Sequence, residues 1–543
     1  MKETTISSYK KIVQGDIKGW LEEEVWNLLP AAYFKDPLSS VQKMEGKVVK
    51  KSMLRWAAIH PLSNGKSIFL KRDRTKGWMA LLKYLVFPSK GRKEWFVAYQ
   101  LKKRKLNIPK PLGWIERIHR GLVKESYYLS EAVESGVSLT EIADLLKDEK
   151  VSAELVKTII RMHASGLLHQ DLHAGNFLWN GESFFLVDLH RARLLRSLSL
   201  NQRLWNLSHL FHSLRSIWGE KEHLRFLDRY FGGVSISSQK KKKYLMKIHS
   251  SMDRLQKRQW RSRTKRCLKE STEFSVVKKN DRIVYRRREF DLEEVIQGVE
   301  EHLRISSREP CELIKKDTKS RVSYLKRGDK DIYVKQFIYS YGGGRWSRYL
   351  LPSKGIRAWV GGNGLKVRGV SSITPLALLE RRGWSGRRES FLFMEALRDG
   401  LEMDRYILSD LEKREKKRAF VKAFARWLSS LHQKGIYHQD MKACNILVQK
   451  SGDRWEFYLL DLEDTRLDVN VDEKRLMKNL LQLNTSVPKT ITRTDRMRFF
   501  NEYGDFKPPL KKGKPFLRRL LQKSRERGIV YVSPHGVVKE ESF

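Results

Sequence analysis

The stretch that decides the fold is HQDLHAGNFLW, residues 169–179, because the chain repeats it in altered form as HQDMKACNILV, residues 438–448. Each version places an aspartate two residues after a histidine and an asparagine five residues after that aspartate. A short apolar run with a further aspartate follows each version, FFLVDL with Asp188 and FYLLDL with Asp461. A motif of this length that recurs with its spacing kept predicts two copies of one domain.

Other segments recur in the same order around the motif. They are IFLKRD around Lys71 with IYVKQF around Lys335, YLVFPSKGRKEW at 84–95 with YLLPSKGIRAW at 349–359, and SYYLSEAV at 126–133 with SFLFMEAL at 390–397. The offset is 264 residues at the lysines and 269 at the HQD motifs, which is far too long for a solenoid repeat. We predict a first domain with a basic C-terminal segment at 1–288, a linker at 289–310, and a second domain with a basic tail at 311–543.

Within each copy the hydrophobic pattern changes from strand-like to helix-like. Alternating apolar and polar residues in IFLKRD and IYVKQF predict half-buried strands. SAELVKTIIRMHASG, residues 152–166, spaces its apolar residues as a helix does, with Ser152 as the predicted N-cap and Gly166 as the predicted stop. Each copy is therefore expected to run from a strand-rich part to a helix-rich part.

Composition restricts the partners and the compartment. The 543 residues carry a net charge of +46, which favours an anionic partner, and the 40% of hydrophobic residues are ample for folded cores. The cysteines Cys267, Cys311 and Cys444 show neither disulfide-framework nor zinc-site spacing. The chain shows no signal-peptide pattern and no run of the roughly 18 apolar residues that a membrane-spanning helix needs. We therefore expect a cytoplasmic protein that is able to lie on a membrane.

The repeated residues match the parts that phosphoryl transfer from ATP requires. A lysine holds the phosphates, a carboxylate orients it, an aspartate orients the acceptor hydroxyl, and an asparagine and a second aspartate hold Mg²⁺. The order of the last three resembles the H-R-D-x-x-x-x-N and D-F-G motifs of protein kinases. In the first copy the candidates are Lys71 and Glu94 for ATP, Asp171 as the catalytic residue, and Asn176 and Asp188 for the metal.

The second copy repeats this set with one gap. Its candidates are Lys335 for ATP, Asp440 as the catalytic residue, and Asn445 and Asp461 for the metal. Ala358 aligns with Glu94, so the orienting carboxylate is missing unless another acid replaces it. This copy is expected to be either a second kinase site or a docking and regulatory module.

Two further details concern the loops. His169 and His438 are expected to brace the HQD loops rather than to act as bases. No G-x-G-x-x-G stretch precedes either lysine, so the loop that covers the phosphates must differ from that of standard protein kinases. Lys47 and Lys319 are candidates to assist there.

The combined motifs resemble the lipopolysaccharide kinase (Kdo/WaaP) family. The resemblance rests on FLKRD with PSKGRKEW, LNIPKPLGW, YYLSEAV, HQDLHAGNFL, LVDLHRARL and RSRTKRCLKESTEF, and it covers most of residues 40–275 and, more loosely, 310–485. It implies a protein-kinase-like fold and ATP with Mg²⁺ as cofactors. It also implies phosphorylation of a heptose or Kdo hydroxyl in the lipopolysaccharide inner core at the cytoplasmic face of the inner membrane, with lipopolysaccharide core or a lipid A precursor as the partner.

We therefore predict an α+β chain of two tandem protein-kinase-like domains, each with a small strand-rich N-lobe and a helical C-lobe. The stretch 240–288 holds nineteen Lys/Arg against four Asp/Glu and is the candidate contact with an anionic inner-membrane surface. Nucleic acid is not expected, because no recognised nucleic-acid motif is present. The oligomeric state stays open.

Two other functions remain as alternatives. A protein Ser/Thr or Tyr kinase is disfavoured because only about a dozen residues separate Asp188 from the next helical pattern, and no A-P-E element follows. A basic membrane-associated pseudokinase or binding protein is disfavoured because the first copy keeps every expected site residue.

Overall fold

The computed structural model describes residues 8–30, 33, 36–43, 46–52, 54–232, 236–279, 281–307, 313–316, 320–326, 331–339, 351–383, 386–452, 454–505, 513–533 and 536–540. The chain divides into two compact units, Met1–Gln256 (unit 1) and Lys257–Phe543 (unit 2). Each unit has one apolar core against its large sheet and a second core among its helices. This is the two-lobed α+β architecture of a protein-kinase-like domain, and it occurs twice.

Unit 1 begins with a seven-stranded antiparallel sheet in the order β1-β2-β6-β7-β5-β4-β3. Its strands are β1 (Tyr9–Gln14), β2 (Ile17–Glu22), β3 (Lys47–Lys51), β4 (Arg55–Pro61), β5 (Ser67–Arg74), β6 (Pro111–His119) and β7 (Leu122–Glu131). Short strands of the second lobe are β8 (Val137–Ser138), β9 (Leu167–His169), β10 (Phe177–Trp179), β11 (Phe184–Leu186) and β12 (Ala192–Leu194).

The helices of unit 1 divide between the two lobes. They are α1 (Glu23–Leu28), α2 (Pro37–Lys43), α3 (Trp78–Val86), α4 (Lys90–Lys103), α5 (Glu149–Ala164), α6 (Leu200–Leu214), α7 (Glu220–Tyr230) and α8 (Ser238–Thr264), the last of which continues into unit 2. Helix α5 begins earlier than predicted, because the side chain of Asp148, not Ser152, accepts the backbone N–H groups of Lys150 and Val151. Its end at Gly166 is confirmed, with φ of +73° at that glycine.

Unit 2 repeats the large sheet with the same strand order, β13-β14-β18-β19-β17-β16-β15. The strands are β13 (Phe274–Lys279), β14 (Arg282–Arg287), β15 (Leu313–Lys316), β16 (Ser320–Leu325), β17 (Ile332–Ile338), β18 (Pro375–Gly383) and β19 (Gly386–Glu395). The remaining strands are β20 (Leu401–Glu402), β21 (Tyr437–His438), β22 (Ile446–Ser451), β23 (Arg454–Leu459), β24 (Thr465–Arg466), β25 (Ile529–Ser533) and β26 (Gly536–Glu540).

The helices of unit 2 follow the same division. They are α9 (Leu292–Ser307), α10 (Lys354–Val367), α11 (Met403–Asp410), α12 (Arg414–Gln433), α13 (Glu473–Asn484), α14 (Arg493–Asp505) and α15 (Lys514–Arg527). None of the helices in the described ranges is long and apolar enough to cross a membrane.

The structure differs from the predicted domain boundaries of 1–288, 289–310 and 311–543. The first unit ends at Gln256, and the hairpin β13–β14 lies in the unit 2 sheet, where β14 pairs with β18. The stretch 289–310 is not a linker, because helix α9 occupies most of it and buries Val295 and Val299 in the apolar core under that sheet. The pairing of β14 and this burial explain why the segment folds with the second unit.

Candidate functional site

The unit 1 site is built around the ammonium group of Lys71, which strand β5 places between β4 and β7. Helix α4 supplies Glu94, and Ser89 caps that helix by accepting the backbone N–H of Arg92. Lys71 Nζ lies 2.9 Å from Glu94 Oε2 and 3.2 Å from Oε1, so both carboxylate oxygens accept hydrogen bonds from it. The structure thus brings together the lysine and the glutamate that the sequence pairs.

Asp188 completes the ion-pair network from the other side of Lys71. It follows strand β11 with a left-handed backbone (φ 62°, ψ 52°), and its carboxylate accepts a short hydrogen bond from Lys71 Nζ. Burial opposes charge on Lys71, but Glu94 and Asp188 outweigh it and raise its pKa. Burial works against ionised Asp188 as well, yet His190 and Lys71 hold its pKa far below the usual range. The network therefore keeps Lys71 positive and Asp188 negative.

His190 is a site residue that sequence reasoning missed. Its Nδ1 lies 2.5 Å from Asp188 Oδ1, and its Nε2 lies 3.1 Å from Arg55 Nη2. Arg55 in turn contacts Asp73 Oδ1 at 3.0 Å. The sequence signal for His190 is its place two residues after Asp188 in LVDLHRARL, where the second copy has Glu463.

The loop with the HQD motif presents Asp171 to solvent. The Asp171 side chain is 48% exposed and accepts a hydrogen bond of 2.7 Å from Arg191 Nη1. His169 is buried, and its Nε2 contacts the backbone carbonyl of Asp188 at 3.0 Å. Burial lowers the pKa of His169 to about 4, so the ring is neutral at pH 7. These contacts fit the bracing role that was predicted for this histidine.

Asn176, the second predicted metal ligand of unit 1, is buried at the end of the same loop. Its Oδ1 accepts the backbone N–H of His173 at 2.8 Å. An amide oxygen has two lone pairs, so this bond leaves capacity for one further contact. Its backbone carbonyl accepts the N–H of Val187, which ties the loop to the residue before Asp188.

The unit 2 loop repeats the histidine contact of unit 1 but differs at the asparagine. His438 Nε2 lies 3.1 Å from the carbonyl of Leu460 and 3.2 Å from that of Asp461. Asp461 again follows a strand with a left-handed backbone (φ 46°, ψ 55°). The side chain of Asn445 donates from Nδ2 to the carbonyl oxygen of Asp440 at 2.8 Å and to its Oδ2 at 3.1 Å.

The missing carboxylate of unit 2 comes from an unexpected position. Ala358 is buried on α10 where α4 has Glu94, as the alignment predicts. Lys335 Nζ nevertheless lies 2.8 Å from Glu463 Oε1 and 2.6 Å from Asp461 Oδ1. Burial opposes charge on Lys335, and these two acids outweigh it and raise its pKa. Each unit therefore surrounds its lysine with two carboxylates.

The donor sets fit a hard divalent cation. Asp188 and Asn176 in unit 1, and Asp461 and Asn445 in unit 2, offer carboxylate and amide oxygens, which are ligands that Mg²⁺ accepts. The carboxylate side chains of Asp188 and Asp461 are 35% and 31% exposed, so both are accessible from solvent. Among the described residues, the ligand atoms of Glu94, Asp188 and His190 lie within 4.8 Å of one another, and Lys71 forms ion pairs with both carboxylates of that cluster.

Of the two lysines that were candidates to assist the phosphate-covering loop, the structure describes one. Lys47 begins the exposed edge strand β3, and Lys319 lies outside the described residues. The role of either side chain stays a prediction.

The fold and the two lysine-centred ion-pair networks define a protein-kinase-like class. The sequence profile of the Lipopolysaccharide kinase (Kdo/WaaP) family matches residues 41–230 and 326–503, which together make up more than half of the chain. The chain therefore belongs to this family, with one match in each unit.

Individual relatives match shorter parts. The lipopolysaccharide core heptose(I) kinase WaaP of Pseudomonas aeruginosa is 28% identical over 170 residues, 30% of this chain and 63% of that protein. A 3-deoxy-D-manno-octulosonic acid kinase of Stenotrophomonas maltophilia is 27% identical over 177 residues, 32% of this chain and 65% of that protein. The chain thus spans less than two thirds of these relatives. A solved structure of WaaP in complex with acyl carrier protein has 19% identity and a TM-score of 0.34, covering 44% of this chain and 96% of that one.

Proposed function

We propose that the protein is an ATP-dependent kinase that phosphorylates a sugar hydroxyl, of heptose or Kdo, in the lipopolysaccharide inner core. The observation that carries the proposal is the Lys71–Glu94–Asp188 network, with Asp171 exposed on the adjoining loop. The named relatives, a heptose kinase and Kdo kinases, support both candidate acceptors.

Each residue has a role in this proposal. Lys71, held by Glu94, binds the phosphates of ATP. Asp188 and Asn176 hold Mg²⁺, which supplies charge neutralisation between the phosphates when it is bound. Asp171 orients the sugar hydroxyl for in-line attack on the γ-phosphorus and takes its proton. The γ-phosphorus–oxygen bond to ADP breaks as the bond to the sugar oxygen forms, so the products are ADP and the sugar phosphate.

The length of chain after Asp188 supports a small or sugar acceptor over a protein. Helix α6 begins at Leu200, so only residues 189–199 lie between them. Part of that span is a short 3-10 helix and strand β12, which pairs with β9 beside the HQD motif. Little chain remains to form a long segment that docks a peptide.

We also propose contact with an anionic membrane surface, where a lipid-linked core would be found. In support, the helix α3 exposes Trp78, Leu82, Leu85 and Val86 at the i, i+4, i+7, i+8 spacing of one helix face, with exposures of 71%, 48%, 61% and 80%. Residues 74–93 around it contain six lysines and arginines and no acid. Such a helix suits the boundary between headgroups and acyl chains of an anionic bilayer.

Only part of the segment 240–288, which the sequence predicts as a membrane contact, is exposed. Arg287 is buried and donates hydrogen bonds to Glu273 at 2.8 Å and Asn363 at 2.7 Å, so it stabilises the fold rather than facing a membrane. Lys240, Lys242 and Lys243 on α8 are exposed and remain candidates for the contact.

Vesicle sedimentation tests the membrane contact. Binding to vesicles rich in phosphatidylglycerol should exceed binding to phosphatidylcholine vesicles and weaken with salt. Leu85→Glu should reduce it, while Val13→Glu, at a site 73% exposed on β1, should leave it unchanged. Equal binding of the Leu85 variant and wild type would remove α3 from the contact.

Transfer of labelled γ-phosphate tests the function. Purified lipopolysaccharide core, treated with phosphatase, and a generic protein substrate would be incubated side by side with ATP and Mg²⁺. Wild type should label the core, Lys71→Met should not, and Lys102→Met, an exposed lysine on the same helix as Glu94, should match wild type. Label on protein alone would favour a protein kinase. Absence of transfer with salt-sensitive binding would favour a pseudokinase.

A further inference from the structure

We propose that unit 2 is a second nucleotide-binding centre, in which Glu463 takes over the orienting role that Glu94 has in unit 1. The inference rests on the proposed function only for the identity of the nucleotide, ATP. In unit 2 the carboxylate that holds the lysine comes from the loop after Asp461, whereas in unit 1 it comes from helix α4.

The geometry around the two lysines carries the argument. Lys335 Nζ contacts Glu463 Oε1 at 2.8 Å and Asp461 Oδ1 at 2.6 Å, as Lys71 contacts Glu94 and Asp188. Glu463 is 9% exposed and Lys335 8%. A buried ammonium without a partner is strongly disfavoured, so the acid also stabilises the fold.

The residues around the lysine also differ between the units at equivalent positions of the loop and the neighbouring strand. Glu463 stands two residues after Asp461, the place that His190 takes after Asp188. Register relative to the lysines puts Ser320 on β16 where Arg55, the partner of His190, stands on β4. Helix, loop and strand therefore each carry a different residue. The three differences together give unit 2 a network with the acid on the loop.

Helix α10 explains how the loop acid reaches the lysine. Gly361 and Gly362 stand where α4 has Val97 and Ala98. A Cβ at Gly361 would lie 2.5 Å from the carbonyl oxygen of Leu462, the residue before Glu463. The helix thus lies directly against the loop, and a larger side chain at this glycine would push the loop away.

One carboxylate oxygen of Glu463 is available to accept a further hydrogen bond. Its Oε2 is buried and makes no hydrogen bond within the part of the chain that the structure describes. A buried carboxylate oxygen without a partner is costly. A group that enters with the nucleotide, such as a hydrated cation, would satisfy it.

The rest of the unit 2 centre is also in place. Asp440 is held at Oδ1 by Gln482 Nε2 at 3.1 Å, and at Oδ2 by Lys442 Nζ at 3.1 Å. Its side chain is 36% exposed. The carboxylate of the unit 2 HQD loop is therefore held in place and remains accessible from solvent.

Labelled ATP in equilibrium dialysis tests the inference on the full chain. Lys71→Met removes the phosphate-holding lysine of unit 1, so the remaining Mg²⁺-dependent binding should come from unit 2. Adding Glu463→Gln should weaken that binding at least about tenfold, and adding Lys335→Met should abolish it. Adding Glu412→Gln, at an exposed position of unit 2, should change nothing.

A second measurement needs no substitution and guards against variants that fail to fold. An acyl phosphate of ATP transfers its acyl group to a lysine at the phosphate site, forming an amide and releasing ATP. In the unmodified chain it should label both Lys71 and Lys335, and excess ATP should protect both.

Three results would overturn the inference. They are labelling of Lys71 without Lys335, absence of ATP binding in a folded Lys71→Met chain, and unchanged ATP binding after Glu463→Gln. Each concerns nucleotide at unit 2, so failure here is distinct from failure of sugar transfer at unit 1.

Discussion

The charged amines of Lys71 and Lys335 are largely buried, and each lies between two carboxylates. Removing one partner of such a buried pair costs about 3–5 kcal/mol, because the other charge is left without compensation. The same ion pairs fix the position of each amine. At the residue scale, stability and nucleotide binding therefore depend on the same contacts.

Glu94→Gln is expected to lower transfer by unit 1 roughly 100-fold, because a displaced lysine no longer holds the phosphates in line. Lys71 keeps its contact with Asp188, so the unit should stay folded. Steady-state kinetics with the lipopolysaccharide core, together with a thermal melt, measure both effects. Glu149→Gln, at a surface acid 87% exposed, is the matched control. Unchanged kcat/KM in the Glu94 variant would contradict the role.

Acid should destabilise unit 1 through its buried histidines. Burial lowers the pKa of His163 to about 3, well below its ordinary value, so the folded protein keeps the ring neutral where the unfolded chain protonates it. The unfolded state then binds more protons between about pH 6.5 and 3. Stability is therefore present above this window and falls within it, by up to about 1.4 kcal/mol per pH unit for each such histidine.

Urea unfolding at about pH 7 and about pH 5 checks this expectation, with tryptophan fluorescence as the probe. His163→Gln should flatten the pH dependence, since glutamine does not titrate and can still bond Tyr230, whose hydroxyl lies 2.7 Å from His163 Nδ1. An equally steep loss of stability in this variant would show that other groups cause it.

The motif residues of the site could be predicted from the sequence, but their contacts could not. Order and spacing match a known chemistry, so the sequence predicts Glu94 as the partner of Lys71 and Asp188 as a metal ligand. The role of Glu463 could not be predicted, because the sequence does not show that an acid two residues after Asp461 contacts Lys335 in the fold. Its one sequence signal is the difference between DLH at 188–190 in the first copy and DLE at 461–463 in the second.

At the element scale, helices α4 and α10 differ in how closely they approach the loop that follows Asp188 in unit 1 and Asp461 in unit 2. Val97 packs in the helical core of unit 1, whereas Gly361 leaves room for the carbonyl of Leu462. In unit 2 the helix without a side chain at this position therefore occurs together with an acid on the loop.

Gly361→Val should destabilise unit 2 by roughly 1–3 kcal/mol, because the added side chain overlaps the loop carbonyl. It should also weaken ATP binding by unit 2, since Glu463 moves with that loop. Calorimetry and equilibrium dialysis measure these effects. Lys366→Ala, at an exposed position of the same helix, should leave both unchanged. Native stability and binding in the Gly361 variant would refute the packing argument.

The large sheets were predicted only in part, for a physical reason. The strands with Lys71 and Lys335 alternate clearly, because one face of each is buried. The hairpins β1–β2 and β13–β14 lie at the sheet edge, and basic residues on their exposed faces obscure the pattern. In the structure the two hairpins begin 265 residues apart, at Tyr9 and Phe274, so both belong to the repeat.

At the scale of the whole molecule, the repeat covers each unit from its first hairpin to its helical lobe. The first strand pair of unit 2 lies within the basic stretch 240–288, which the sequence predicts as the end of the first domain. Charge patterns report surface composition, whereas strand pairing and the buried contacts of Arg287 decide which unit a segment joins.

The fragment 257–543 should therefore fold cooperatively, and the fragment 289–543 should not. The shorter fragment lacks β14, which leaves the edge of β18 unpaired and Asn363 without Arg287. Circular dichroism melts of both fragments test this. A cooperative transition in the shorter fragment would restore the boundary at 288.

The central claim is that unit 1 transfers phosphate to a core sugar through Asp171. Its most direct test is transfer of labelled γ-phosphate from ATP to phosphatase-treated lipopolysaccharide core by wild type, Asp171→Asn, Asp440→Asn and Asp144→Asn, the last at an exposed control position. Asp171→Asn should lose roughly 100-fold or more with its thermal melt unchanged, while Asp144→Asn matches wild type. Full transfer by Asp171→Asn, with loss in Asp440→Asn, would contradict the account and place the chemistry in unit 2.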